Sequence, residues 1–433
     1  MSKYKYSNNT VYYQKARFFR KDNTNEFAYC IEPFTFFNVN SQYESVVDPN
    51  NLSFEQKKRI EKIAYFGYGY KNHTDSKWYA ITQMMIWDAA DQVSGEVYFT
   101  DSLNGNRVNL YQDEINEINN LINEYNEKIS IENKTYTTVE NKGLTIEANN
   151  TNHYYTLNNR IHINQNQIII EPLKEGNYEF ILNKENNYYQ KPLIFYQSAT
   201  SQNLIETGNL EQEQSQFYVN SIKTKIIVNK LDYDSKDTNP QGEADLNNSI
   251  ITIYDINNKI IDTKTITDNK VEFDNLDFGK YYIKETQTGN GYTLNDEIQE
   301  IEITKENPIQ ETIIYNKVIK KQIKIIKKYG ENNYFNSEKN IDFEIYNNKN
   351  ELVATISTDE NGEAIISLPY GKYTFIQKNS TSGYNKVEPF TIDINDTEEE
   401  IIELKDYKIP VPNTHTTQRS LLLIIIKILI ILL

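Results

Sequence analysis

Apolar and polar positions along the 433 residues fall into two regimes. Up to about residue 135, helical spacing dominates. NLSFEQKKRIEKIAYFGYG opens with a capping box at Ser53 and Gln56 and carries Ile60, Ile63 and Ala64 on one stripe. SKWYAITQMMIWDAAD reads as a buried helix holding Trp78 and Trp87, the only two tryptophans. YQDEINEINNLINEYNEKI places Ile115, Ile118, Leu121, Ile122 and Tyr125 at helical spacing, and EFAYCIEPFTFF reads as a strand. This segment is therefore expected to be α+β. From 136 to 220 the pattern alternates, as in IHINQNQIIIEPL, NYEFILNK and KPLIFYQSATSQNLI, and predicts a β-rich subdomain packed on the first. The acid-rich ETGNLEQEQSQ at 206–216 reads as a linker.

The C-terminal half contains two copies of one unit, 221–318 and 319–408. TDNKVEFDNLDFGKYYIKETQTGNGY starts at Thr267, and TDENGEAIISLPYGKYTFIQKNSTSGY starts at Thr358. Gly279 corresponds to Gly371 and Gly291 to Gly383. So long a period, with strand alternation and turn residues at short intervals, predicts tandem all-β sandwiches and not a solenoid. Lys230 falls on the inward phase of its strand, after Ile226 and Val228. A buried, unpaired ammonium is costly, so this lysine must be neutral, paired or covalently consumed. Glu285 and Asn316, at the ends of alternating runs, are candidates to share its core. In a dry core the free amine can attack the Asn carboxamide while a protonated Glu polarises it, expelling ammonia and leaving an isopeptide bond.

Charge and composition remove several classes. Lys plus Arg is 45 and Asp plus Glu is 61, a net charge of −16. Such a chain repels phosphate backbones, so no nucleic-acid partner is expected. One cysteine, Cys30, excludes an internal disulfide framework and any multi-cysteine metal site. No two of the four histidines stand at metal-ligand spacing, and no Gly-rich phosphate loop follows a strand. Neither metal nor cofactor is expected, and the chain is not expected to be an enzyme with turnover.

Gln83 lies among Ile81, Met84 and Ile86, with Trp87 four residues on. A caged amide needs a partner, and a thiol set against it can displace ammonia to give an internal thioester. Tyr-Cys-Ile-Glu-Pro at 29–33, together with Thr82, Gln83, Ile86 and Trp87 in TQMMIW, resembles the thioester domain of Gram-positive adhesins. The resemblance implies a Cys30–Gln83 cross-link supported by Thr82 and Trp87. A lysine amine of a host surface or matrix protein would open it, leaving an amide. A cysteine enzyme built on Cys30 and His73 is the lesser alternative, because the surrounding sequence lacks the features of such a site.

VNKLD, FGKYYIKET, GY and YNK resemble the Cna-B repeat of Gram-positive adhesins and pili. That likeness implies a Lys230–Asn316 isopeptide bond catalysed by Glu285. In the second repeat Lys327 matches, but Gln377 stands in place of the Glu and Asp406 in place of the Asn. The second bond is therefore expected to be absent or slow.

Near the C-terminus Val411, Pro412, Asn413 and Thr414 precede the apolar run Leu421–Leu433, which only Lys427 interrupts. Thirteen helical residues reach about 20 Å, short of a bilayer core, so a membrane-associated tail is expected. This arrangement resembles a Gram-positive cell-wall sorting signal. It departs from the pattern at His415 and in its reduced basic tail. The likeness implies sortase and peptidoglycan as partners. No apolar export signal is visible at the N-terminus.

The expected organisation is a thioester-type domain over 1–135, a β-rich subdomain and linker over 136–220, two Cna-B-like (Ig-like) sandwiches over 221–318 and 319–408, and a sorting-like motif with hydrophobic anchor over 409–433. The expected role is a covalent adhesin on the bacterial surface, anchored to the wall. The alternative is a structural pilin or stalk without a reactive thioester.

Overall fold

A computed structural model describes residues 2–6, 11–14, 19–20, 26–33, 35–90, 95–101, 106–186, 193–208 and 210–411. Pro412, Asn413, Thr414 and the Leu421–Leu433 run lie outside the described residues. The chain divides into two compact units, 1–222 and 223–433.

In the first unit, α1 (Phe54–Phe66) begins at the capping box read from the sequence, with both reciprocal Ser53–Gln56 bonds present. It turns Ile60, Ile63, Ala64 and Phe66 inward. α2 (Ser76–Ala90) is buried on nearly every side, and α3 (Gln112–Asn126) buries Ile118, Ile122 and Tyr125. α1 and α2 meet closely at Gly67. A Cβ there would stand 2.2 Å from Thr82 Oγ1, so only glycine admits the contact. The helices pack with a five-stranded sheet ordered 19–20, 27–30, 201–206, 194–198, 44–46.

That order corrects the expected organisation. The strands Ile194–Ser198 and Ser201–Glu206 belong to the sheet of Cys30, and Phe195, Ile205 and Leu210 sit in the helical core. A second core forms around Ile129, Ile131, Phe180 and Phe217, within sheets made by residues from 135 to 184 and the strand Gln214–Ile222. The two folds are therefore interleaved: the chain returns to the first over 194–210 and then supplies a last strand, Gln214–Ile222, to the second. Nor is 206–216 a free linker. Its two ends are strands, and within it Glu211 bonds Lys58 and Glu213 bonds Lys184, each at 2.8 Å. Polar composition suggested a linker, but the polar side chains are spent on lysines of neighbouring elements.

The second unit holds two sandwiches with the same strand plan. In the first, Lys225–Asp232 lies between Lys270–Asp274 and the parallel strand Ile309–Asn316. In the second, Lys320–Glu331 lies between Glu363–Pro369 and the parallel strand Glu400–Tyr407. Each faces a four-stranded antiparallel sheet across an aliphatic and aromatic core. The repeat extends to backbone torsions: Gly279 and Gly371 have φ of 147° and 145°. These are values that side chains disfavour and glycine adopts freely.

Candidate functional site

Cys30 ends the strand Phe27–Cys30 and is 1% exposed. Its main chain is gripped by α2. Cys30 N–H donates to Gln83 Oε1 at 2.8 Å, and Gln83 Nε2 donates to the Cys30 carbonyl at 2.7 Å. The structure thus brings the two expected partners together, but through the backbone of Cys30 and both ends of the Gln83 carboxamide. The sulfur points elsewhere. The thiol donates to Gln202 Oε1 at 2.6 Å and lies 3.2 Å from the Glu32 carbonyl.

Strand register explains why Gln202 is there. Cys30 pairs with Leu204 in the antiparallel neighbour Ser201–Glu206. Alternation puts Gln202 on the same face, one diagonal step away and within reach of a long side chain. The turn beyond Cys30 is pinned to that strand: Glu32 accepts from Asn203 N at 2.9 Å and Asn203 Nδ2 at 2.7 Å, and Ile31 N donates to the Asn203 carbonyl. Tyr43 OH donates to Ser201 Oγ and to the Gln202 carbonyl. None of Gln202, Glu32 or Asn203 was singled out from the sequence.

Phe19, Trp87 and Leu204 close over the sulfur. Burial pushes the thiol up to about 12, the Trp87 side chain and the Glu32 backbone pull it back somewhat, and the Glu32 charge adds to the rise. The thiol is therefore protonated at physiological pH. Among the described residues the Trp87 indole N–H meets no hydrogen-bond acceptor, so its effect on the sulfur is that of a nearby dipole. Thr82 does not touch the thiol. It donates to the Trp78 carbonyl at 2.7 Å and accepts from Tyr68 N at 2.9 Å, which fixes the start of α2 against the loop after α1. His73 is bonded to the carbonyls of Phe66 and Gly67 and stacked on Trp78 at 3.5 Å. Cys30's own polar partners are Gln83, Gln202 and Glu32. On the outer side of the sheet an open groove of about 640 Å³ is lined by Phe19, Phe27, Phe37, Tyr43, Tyr196 and Leu204, among others.

A second cluster lies in the first sandwich. Lys230, Glu285 and Asn316 are at most 1% exposed. Lys230 Nζ donates to Glu285 Oε1 and to Asn316 Oδ1, and Asn316 Nδ2 donates to Glu285 Oε2 at 2.7 Å. Asn295 N also donates to Glu285 Oε2, and Thr288 Oγ1 and the Thr293 carbonyl hold the Asn316 amide. Burial lowers the lysine, against the raising effect of Glu285. In the second sandwich Lys327, Gln377 and Asp406 also meet in the core, with Gln377 Nε2 donating to Asp406 Oδ2 at 2.6 Å.

An α+β domain with a buried thiol held against a carboxamide, followed by two sandwiches with buried lysines, defines a class of protein. Residues 27–127 match the family described as the thioester domain. Residues 226–318 and 322–408 each match SpaA, described as a prealbumin-like fold domain. The chain carries one thioester domain and two prealbumin-like SpaA domains. None of the curated proteins matches it. Among solved structures it is similar to the Bacillus anthracis TIE protein at 19% identity, over 94% of this chain and 84% of that one, with a TM-score of 0.39. It is also similar to the thioester domain of the Staphylococcus aureus TIE protein at 15% identity, over 51% and 92%, with a TM-score of 0.39. A C-terminal fragment of the pilus adhesin SpaC from Lactobacillus rhamnosus GG aligns at 12% identity, over 44% and 99%, with a TM-score of 0.33.

Proposed function

We propose that this chain is a Gram-positive surface adhesin that captures an amine-bearing host protein through an internal thioester, and that the acyl partner of Cys30 is Gln202. The observation that carries this reading is the 2.6 Å contact from Sγ to the Gln202 carboxamide. Gln83 is then a positioning residue. Both of its polar ends are occupied by the Cys30 main chain, and it sets the direction of the thiol.

Sulfur adds to the Gln202 carboxamide carbon, the thiol proton passes to the amide nitrogen, and ammonia leaves. The Trp87 indole N–H, which meets no acceptor among the described residues, is available to the oxygen that becomes negative in the tetrahedral intermediate. The apolar lid of Phe19, Trp87 and Leu204 keeps water from the product. An arriving primary amine attacks the same carbon, an amide forms, and its proton returns to Cys30 as the thiol leaves. The amide is inert and the reaction runs once. The groove beside the strand, lined by polar and apolar side chains alike, offers a way in toward that carbon.

In the first sandwich, we infer a Lys230–Asn316 isopeptide bond. Glu285 takes a proton from Lys230 through Oε1. The amine attacks the Asn316 carboxamide, Glu285 Oε2, already bonded to Nδ2, gives its proton to the departing nitrogen, and Glu285 takes up the second proton of the attacking nitrogen, so that ammonia leaves and Glu285 ends protonated. Val411 and the sorting-like segment after it support attachment by sortase to peptidoglycan.

The test uses a thiol reagent and methylamine. In the folded chain Cys30 should resist alkylation, become alkylatable after methylamine, and leave methylamine on the peptide containing Gln202. Alkylation of Cys30 without prior amine, or methylamine on another residue, refutes the proposal.

A further inference from the structure

The sequence predicts that the second sandwich closes its bond slowly or not at all, since Gln377 stands where the first has Glu285. The structure changes that reading. Lys327 and Asp406 are fully buried on adjacent parallel strands. Asp406 pairs with Tyr329, two positions beyond Lys327, just as Asn316 pairs with Asp232, two beyond Lys230. The donor and acceptor strands are thus in the same register in both repeats. A third charged group is present that the first repeat lacks. Glu338, which follows the short strand Tyr334–Ser337, is 1% exposed and places Oε2 at 3.2 Å from Lys327 Nζ. Its Oε1 accepts from Thr381 N at 2.8 Å, which fixes the carboxyl's orientation.

Gln377 takes the place of Glu285 in detail. Asn295 N donates to Glu285, and Val387 N donates to Gln377 Oε1 at 3.0 Å, each from ten residues further along the chain. The bond to the acceptor residue is kept with its polarity reversed. Asn316 donates to Glu285, whereas Gln377 donates to Asp406. The two exchanges move the carboxyl to the acceptor position, and Glu338 adds a second one beside the lysine.

The charges do not balance as they stand. One ammonium faces two carboxyls, and among the described residues Glu338 Oε2 and Asp406 Oδ1 meet no hydrogen-bond donor beyond the Lys327 ammonium. A dry core does not hold a net negative charge cheaply, so one carboxyl keeps its proton. Burial raises Asp406, against the lowering pull of Lys327 and Gln377, the direction expected of the carboxyl that keeps it.

We propose that the second repeat closes a Lys327–Asp406 amide with loss of water, and that Glu338 carries the proton. Glu338 carboxylate takes a proton from the Lys327 ammonium, 3.2 Å away. The neutral amine attacks the Asp406 carboxyl carbon. Asp406 Oδ2, held by Gln377 Nε2, becomes the amide oxygen. Oδ1, on the lysine side, departs as water with its own proton and one released from the attacking nitrogen. Glu338 ends protonated. The start is one cation, one anion and one neutral acid. The end is a neutral amide, a neutral acid and water, so every charge has left the core. This reaction is independent of the thioester and of the Lys230 bond, and it differs from both in releasing water where they release ammonia.

The full chain is denatured, digested and mapped by tandem mass spectrometry. A peptide joining Lys327 to Asp406, lighter by one water than its two parts, is expected. Its absence from folded wild-type protein overturns the proposal. In Glu338→Gln, formation of the link after refolding should slow by roughly 10²-fold or more, the range lost with a positioned acid–base group. Linkage at the wild-type rate removes Glu338 from the reaction. If Glu338→Gln does not fold, Glu338→Asp keeps the charge and withdraws the carboxyl by one methylene. It should link about tenfold more slowly, and an unchanged rate again refutes the role. The Lys230–Asn316 peptide, lighter by one ammonia, is read in the same map and should not respond to either variant.

Discussion

Gln83 and Gln202 make opposite predictions, and their alanine variants separate them. Gln83→Ala removes two buried hydrogen bonds, of 2.8 and 2.7 Å, to the main chain of Cys30. The N–H and carbonyl left behind are out of water, and each such group costs about 1–3 kcal/mol. The sum is about 2–6 kcal/mol, before any cavity left by the lost side chain. For a unit of 222 residues, at roughly 2–4 °C per kcal/mol, a central value of about 4 kcal/mol lowers Tm by about 8–16 °C. Gln202→Ala removes no main-chain partner of Cys30. It should melt closer to wild type while losing the thioester altogether. Two assays on the same samples decide between them: thermal unfolding of the N-terminal unit, and mass mapping of the peptides carrying Cys30 and Gln202. Gln202→Ala must lack the ammonia deficit at Cys30. If it keeps that deficit, and Gln83→Ala loses it with Tm unchanged, the acyl partner is Gln83 and the reading built on the sulfur's direction is wrong.

Three further outcomes follow from the geometry. In Gln202→Ala the thiol is free but buried, with a pKa of about 12 against an ordinary 9.0. Its alkylation at pH 8 should be about 10³-fold slower than that of an exposed cysteine, by the difference in thiolate fraction. Because the folded value is the higher one, this group's contribution to stability is complete below pH 9. It is lost as the pH climbs toward 12, so alkaline melts of this variant should fall more steeply than those of the same variant carrying Cys30→Ala. Glu285→Ala should leave Lys230 and Asn316 unlinked, so that their peptides regain one ammonia; a linked peptide in that variant excludes Glu285 as the proton carrier. Gly67→Ala drives a methyl group into Thr82 and the Ile63 carbonyl and should cost about 1–3 kcal/mol in a thermal melt; a neutral result means that α1 and α2 separate more easily than the contact implies.

Local chemistry was well written in the sequence. The capping box starts α1 where Ser53 and Gln56 place it. The apolar surround of Gln83 announced a buried amide, and the inward phase of Lys230 announced a buried amine. Relations between distant strands were not legible. Gln202 stands 172 residues from Cys30 and meets it only because Cys30 pairs with Leu204, a register no local pattern encodes. The strand that carries it, SQNLIE, is buried at every position, so its three leading polar residues gave no alternation to mark a partner face. Glu338 sits in NSEKN, a stretch with the composition of a surface turn. Its carboxyl is drawn inward by the Thr381 N–H and the lysine, not by any periodicity. The supposed linker failed for the related reason that Glu211 and Glu213 have lysine partners on other elements.

The parallel pairing of first and last strands in each sandwich has a mechanical consequence. A pull on the two ends of the first repeat enters at Lys225 and leaves beyond Asn316, along neighbouring strands that run the same way. With Lys230 joined to Asn316, the load crosses directly from one strand to the other. It passes over the chain between two residues that are 86 apart in sequence. That loop, with nearly the whole core attached to it, carries no tension. Under shear such a sandwich can stretch only by breaking a covalent bond, and it keeps its folded length whatever its thermal stability.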